Sequence, residues 1–239
     1  MLSQAGPAPL RDYPLGCLLI QSEETSFGPG PGPAGPAGPV GFDLDLTLID
    51  SQAAILAAWA EVARETGACI DLDSVTRRMG IKLEDEAAFW FPAGKRNAAA
   101  DIYRRHYVRL APELTTRLPG AGEALDAVRQ AGERVIIITA KHPVSVGPSL
   151  IAAGLEPDDL YTHVYGPEKA AVLTKVGAAV YVGDAPADMA AAAEAGVHAV
   201  GVATGSFSAA DLRAEGAEVV LDSLREFPPW YAALRAASG

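Results

Sequence analysis

The stretch VGFDLDLTLIDS, from Val40 to Ser51, constrains the fold of this chain more than any other. It opens as a short strand, VGFDL, yet Asp43, Asp45 and Asp50 fall within an otherwise apolar run. Burying an unpaired carboxylate is costly, so such groups are paired, protonated or bound to a cation. A fold that accepts this segment has to bring compensating charge to the end of that strand.

The rest of the chain shows what surrounds the strand. SQAAILAAWAEVARETG predicts a helix, with Ser51 as N-cap, Ile55, Leu56, Trp59, Val62 and Ala63 at helical spacing, and Gly67 as the stop. Residues 71–111 continue in helical patterns broken near MGIK and FPAGKR. GAGEALDAVRQAG then reads as a helix and RVIIIT as a buried strand. Helices PVSVGPSLIAAG, PEKAAVLTKVG, PADMAAAAEAG and SAADLRAEG alternate with strands THVYG, AAVYVGD, HAVGVATG and AEVVL. Such alternation predicts an α/β fold, a doubly wound parallel sheet with helices on both faces. Residues 52–117 interrupt it as an inserted helical cap, which leaves residues 40–51 and 118–239 as the α/β core. Residues 1–39, with FGPGPGPAGPAGPV, lose backbone donors to proline and resist ordering at glycine, and read as a disordered tail.

Composition narrows the partners. A net charge of −11 over 239 residues argues against nucleic acid, whose phosphates demand basic patches, and against an anionic membrane surface. Two cysteines, Cys17 and Cys69, make no disulfide framework, and a reduced, cytoplasmic setting is expected. LGCLLI is too short to span a bilayer and lacks the flanks of a secretory signal. Nothing in the sequence reports oligomeric state.

In doubly wound sheets ligands bind beyond the carboxyl ends of the strands. Asp43 and Asp45 end the first strand, Thr139 ends RVIIIT, and Asp184 ends AAVYVGD with Asp188 four residues on. If these strands are neighbours, up to four carboxylates converge and repel one another unless a cation sits among them. Hard oxygen ligands with open positions suit Mg²⁺, which takes a substrate phosphate as a further ligand. A lysine is the second expected source of compensation.

DLDLT, IIIITA, Lys169 in GPEKAAVL and GDAPAD, in that order, resemble the four motifs of the haloacid dehalogenase-like hydrolase superfamily, over about residues 40–221. The helical insert resembles the cap of its phosphoglycolate phosphatase-like branch. The family's dehalogenases lack the second acid of DLDLT, so Asp45 favours a phosphatase. The resemblance implies a small phosphoester substrate, Asp43 as nucleophile, and Asp45 as general acid and then base, its backbone carbonyl meeting the metal. It implies that Thr139 and the Ala140 N–H bind the phosphoryl oxygens, that Lys169 offsets their charge, and that Asp43, Asp45, Asp184 and Asp188 form the metal site. Lys141 and Lys175 compete with Lys169 on sequence grounds. Thr47 is expected to stabilise the turn or orient Asp45, and Asp50 to start the cap helix, where an acid suits the helix dipole. In the cap, Arg77, Arg78 and Lys82 flank Gly80 in TRRMGIKLED; Arg77, Gly80 and Lys82 are candidates for the substrate's second charged group. His106 is expected to be structural, and His142 lies close to Thr139. Three alternatives share much of this pattern: a phosphomutase, a binding protein without turnover, and a receiver-like phosphorylation switch, against which the cap and Asp45 argue.

Overall fold

The structure, a computed structural model, describes residues 37–237. Most of the Pro/Gly-rich tail, and Cys17 with it, lies outside the described residues. The first half runs β1 (Val40–Phe42), β2 (Ile49–Asp50), α1 (Gln52–Thr66), α2 (Leu72–Arg77), α3 (Leu83–Trp90), α4 (Ala93–Leu114), β3 (Thr116–Arg117) and α5 (Ala121–Gln130). The second runs β4 (Val135–Ile138), α6 (Pro143–Ala153), β5 (Asp159–Tyr161), α7 (Pro167–Val176), β6 (Val180–Gly183), α8 (Pro186–Ala195), β7 (His198–Val202), α9 (Ala209–Ala214), β8 (Val219–Leu221) and α10 (Phe227–Ala236).

Six strands form one parallel sheet in the order β5-β4-β1-β6-β7-β8. Side chains alternate across a strand, so an uninterrupted apolar strand feeds two cores. In β4, Val135 and Ile137 join one cluster and Ile136 and Ile138 the other. The first cluster is closed by Leu125 of α5, Leu150 of α6 and Phe227 of α10. The second is closed by Leu173 of α7, Met189 of α8 and Leu212 of α9. The sheet is therefore doubly wound. Its strand order reverses beside β1, because the chain builds outward through β4 and β5 on one side and β6 to β8 on the other.

Helices α1 to α4 share a separate core around Trp59, Tyr103 and Tyr107. Alanines at 54, 58, 99 and 111 let the helices approach, and the Trp59 and Tyr103 rings lie 5.1 Å apart. The segments leading into and out of this bundle bond to each other: β2 and β3 pair antiparallel, Ile49 opposite Arg117 and Asp50 opposite Thr116. Among the described residues no helix is long and apolar enough to cross a membrane.

Two local expectations differ. The strand expected at THVYG is found earlier, at Asp159–Tyr161, and His163 and Gly166 behind it take positive φ angles in a turn. Two acids masked it: Asp158 accepts from the Val135 N–H and Asp159 pairs with Arg134. Ser51 does not cap α1, since its hydroxyl donates to Asp45 instead. Asp50 supplies the local turn, accepting from the Gln52 N–H at 3.1 Å.

Candidate active site

Three adjacent parallel strands end in Asp43, Thr139 and Asp184, so these residues line one edge of the sheet. The Asp43 N–H extends the ladder by donating to the Val182 carbonyl at 2.8 Å. Lys169, in the first turn of α7, donates to Asp43 Oδ1 at 2.8 Å and to Asp188 Oδ1 at 2.6 Å. Asp188 lies in the first turn of α8 and also accepts from the Tyr181 hydroxyl and the Ala185 N–H. Asp184 Oδ1 accepts from the Thr47 hydroxyl at 2.9 Å. Thr47 therefore holds Asp184, where the sequence pointed to the turn or to Asp45. Asp43, Asp184, Asp188 and Lys169 are each at most 6% exposed.

Two glycines make room for these carboxylates. A Cβ on Gly183 would lie 2.4 Å from the Asp188 side chain, and one on Gly205 would lie 1.9 Å from Asp184 Oδ2. Sequence reading missed Gly205, which lies in a loop far from the motifs.

The cluster is short of positive charge. Burial pushes the Asp43 carboxyl up to about 7, although Lys169 opposes the rise. Burial, and then repulsion by Asp43, raise Asp184 well above the usual carboxylate range. Burial works against the Lys169 ammonium, but Asp188 and Asp43 outweigh it and keep it charged. One oxygen from each of Asp43, Asp184 and Asp188 lies within 4.8 Å of the others, a donor set that fits a hard divalent cation.

Asp45 has its own lysine. Lys141 Nζ donates to Asp45 Oδ1 at 2.6 Å, and the Ser51 hydroxyl donates to the same oxygen. Burial lowers the Lys141 pKa and Asp45 raises it further, so the ammonium stays charged. The sequence set Lys141 and Lys169 against each other for one role, but each faces a different aspartate. Lys175 lies at the far end of α7. Thr139 Oγ1 accepts from the Lys141 N–H at 3.1 Å, which leaves its own proton free to donate. Among the described residues no acceptor meets the Ala140 N–H.

Between these strand ends and α1 to α4 lies a cavity of about 70 Å³, bordered by Asp43, Asp45, Thr139, Ala140, Lys141 and His142. Gly80 borders it from the cap side. Two other cap candidates do not. Arg77 turns outward to Ser74 and Asp71, and Lys82 reaches Glu168 at 2.7 Å beside the cavity. Arg78, the neighbour of Arg77, is the arginine that lines it. Arg77 is the last residue of α2 and Arg78 is its C-cap, where the chain leaves the helix for the Met79–Ile81 segment that also lines the cavity. Glu86, Trp59, Tyr103 and Ser145 also line the cavity and carried no sequence signal beyond helical spacing. His106 is buried in the cap, 2.6 Å from Glu65, with Arg109 on its other nitrogen.

The profile of the haloacid dehalogenase-like hydrolase family matches residues 40–202. The plasmid phosphoglycolate phosphatase of Cupriavidus necator is 28% identical over 207 residues, 78% of this chain and 90% of its own length. The phosphoglycolate phosphatase of Pseudomonas putida is 28% identical over 79% of this chain and 77% of its own. A hydrolase from Pseudomonas syringae, 23% identical, has the same fold, with a TM-score of 0.70 over 82% of this chain and 98% of its own. Profile, sheet order and motif positions agree, and the chain belongs to the haloacid dehalogenase-like hydrolase family.

Proposed function

We propose that this protein is a Mg²⁺-dependent phosphomonoesterase that hydrolyses a small phosphorylated metabolite through an aspartyl-phosphate on Asp43. The observation that carries the reading is the pairing of two aspartates with separate lysines under one small cavity, buried Asp43 with Lys169 and half-buried Asp45 with Lys141. The names of the two phosphoglycolate phosphatases above support phosphoester chemistry.

Asp43, Asp184 and the backbone carbonyl of Asp45 would hold the ion, which when bound would polarise a phosphoryl oxygen and offset the buried negative charge. Asp188 already accepts from protein donors on both oxygens, so it would orient the ion's waters. With Asp43 Oδ1 held by Lys169, Oδ2 would attack phosphorus as the ester P–O bond breaks. Asp45 would give its proton to the departing alkoxide. It would then take a proton from the water that attacks the aspartyl-phosphate, freeing Asp43 and inorganic phosphate. The Thr139 hydroxyl, the Ala140 N–H and Lys169 would meet the charge that develops on the phosphoryl oxygens. Helices α1 to α4 above the cavity would keep bulk water from the intermediate.

The test is phosphate release from a panel of sugar phosphates, nucleotides, phosphoglycolate and an aryl phosphate, with Mg²⁺, with chelator, and with Asp43→Asn. Release that needs both Mg²⁺ and Asp43 is expected. Full release in chelator or by Asp43→Asn would overturn the proposal, and isomerisation without net release would reassign the site to phosphoryl return.

A further inference from the structure

The cap side of the cavity offers one arginine, and that arginine is already engaged. Arg78 donates to both oxygens of Glu86, Nε to Oε2 at 2.9 Å and Nη2 to Oε1 at 2.7 Å. Its guanidinium lies 4.3 Å from the Phe89 ring centroid and 5.2 Å from that of Trp90. Trp90 Nε1 donates to Glu86 Oε1 at 2.7 Å, so the carboxylate is fixed from a second side. Glu86 is 5% exposed, and Arg78 and Glu86 line the cavity together. Their charges cancel where a leaving group would lie.

Among the described residues the core side offers no free cation either. Lys141 is bound to Asp45. Burial, and then the Arg104 charge, hold His142 below its usual range, so at pH 7 it is largely neutral. The Ser145 hydroxyl, buried and without a partner among the described residues, is uncharged. The remaining wall is apolar or aromatic, including Ile55, Trp59, Val75, Met79, Ile81 and Tyr103.

Resting on the phosphatase reading above, we infer that the ester hydrolysed here has a small, uncharged alcohol with an apolar face, and that Glu86 sets this preference by occupying Arg78. A carboxylate on the alcohol would have to displace Glu86, stranding a buried charge, or lie unpaired beside it. A neutral alcohol meets neither obstacle. Its apolar face is desolvated against the wall, and its hydroxyl can bond Ser145.

The experiment compares kcat/KM of the full chain, with Mg²⁺, for two esters of similar size, phosphoglycolate and 2-hydroxyethyl phosphate. The neutral ester is expected to be favoured by about tenfold or more, the scale of one like-charge contact. Glu86→Gln keeps an acceptor for Trp90 but removes the charge, and should move the ratio toward phosphoglycolate by about tenfold. The double variant Arg78→Met with Glu86→Met is again neutral and should retain the preference, which keeps a test if the glutamine variant does not fold. A wild-type preference for phosphoglycolate, or an unchanged ratio in folded Glu86→Gln, overturns the inference alone. No hydrolysis of any ester, an aryl phosphate included, overturns the phosphatase reading beneath it.

Discussion

On the floor of the site, Lys169 sits between Asp43 and Asp188 with all three side chains at most 8% exposed. In the cap, Trp59, Tyr103 and Tyr107 fill a core bounded by alanines; Arg64 with Glu61 stays near the rim, and the Arg78–Glu86 pair faces the cavity. The floor is held by one ammonium shared between two carboxylates: removing Lys169 leaves both buried without their cation, at several kcal/mol. The cap is held by volume and apolar area, which related side chains can supply almost as well. The two regions should therefore respond oppositely to conservative substitution. The proposed function places catalytic chemistry in the intolerant region and substrate choice in the tolerant one.

The largest expected effect is on the floor. Asp43→Asn should lower turnover by at least about a thousandfold, because it removes the nucleophile proposed above, which would divide the reaction into two steps. Its denaturation midpoint should not fall, since burial disfavours the carboxylate at that position. Next is Lys169→Met, expected to destabilise by about 3–5 kcal/mol in chelator, measured by denaturant unfolding. Lys169→Arg should not rescue it, because a planar fork cannot replace a point charge between two carboxylates. The cap supplies the counterpart: Trp59→Ala should cost about 3 kcal/mol, yet Trp59→Phe less than about 1.5 kcal/mol. If Lys169→Arg were tolerated and Trp59→Phe were not, the contrast between the regions would fail. The smallest effect is at the rim. Lys82→Ala breaks the pair with the exposed Glu168 and should change stability by less than about 1 kcal/mol.

What the sequence discloses follows the same division. That Asp43, Thr139 and Asp184 meet at one sheet edge was legible because neighbouring parallel strands bring their ends together. Lys169 was legible by position, but the partnership of Lys141 with Asp45 was not, because 96 residues separate them. Ser51 satisfied the local rule for a helix cap and a long-range partner prevailed. Strands β2 and β3 have two residues each, too few for any periodicity, and their partners lie on either side of a helical bundle. In the cap, Arg77 and Arg78 are indistinguishable by type. The end of α2 and the position of Glu86 separate them, and the second is a property of the packed bundle.

The account rests on a phosphoryl group passing through Asp43. The most direct measurement mixes an aryl phosphate labelled on phosphorus with Asp45→Asn, quenches within one turnover and maps the enzyme-bound label. An aryl leaving group needs no proton from residue 45, whereas hydrolysis of the intermediate needs its base, so the intermediate should accumulate. The account predicts a hydroxylamine-sensitive label on the peptide carrying Asp43, absent when Asp43→Asn is added. Phosphate release without bound label, or a label that survives loss of Asp43, would contradict it.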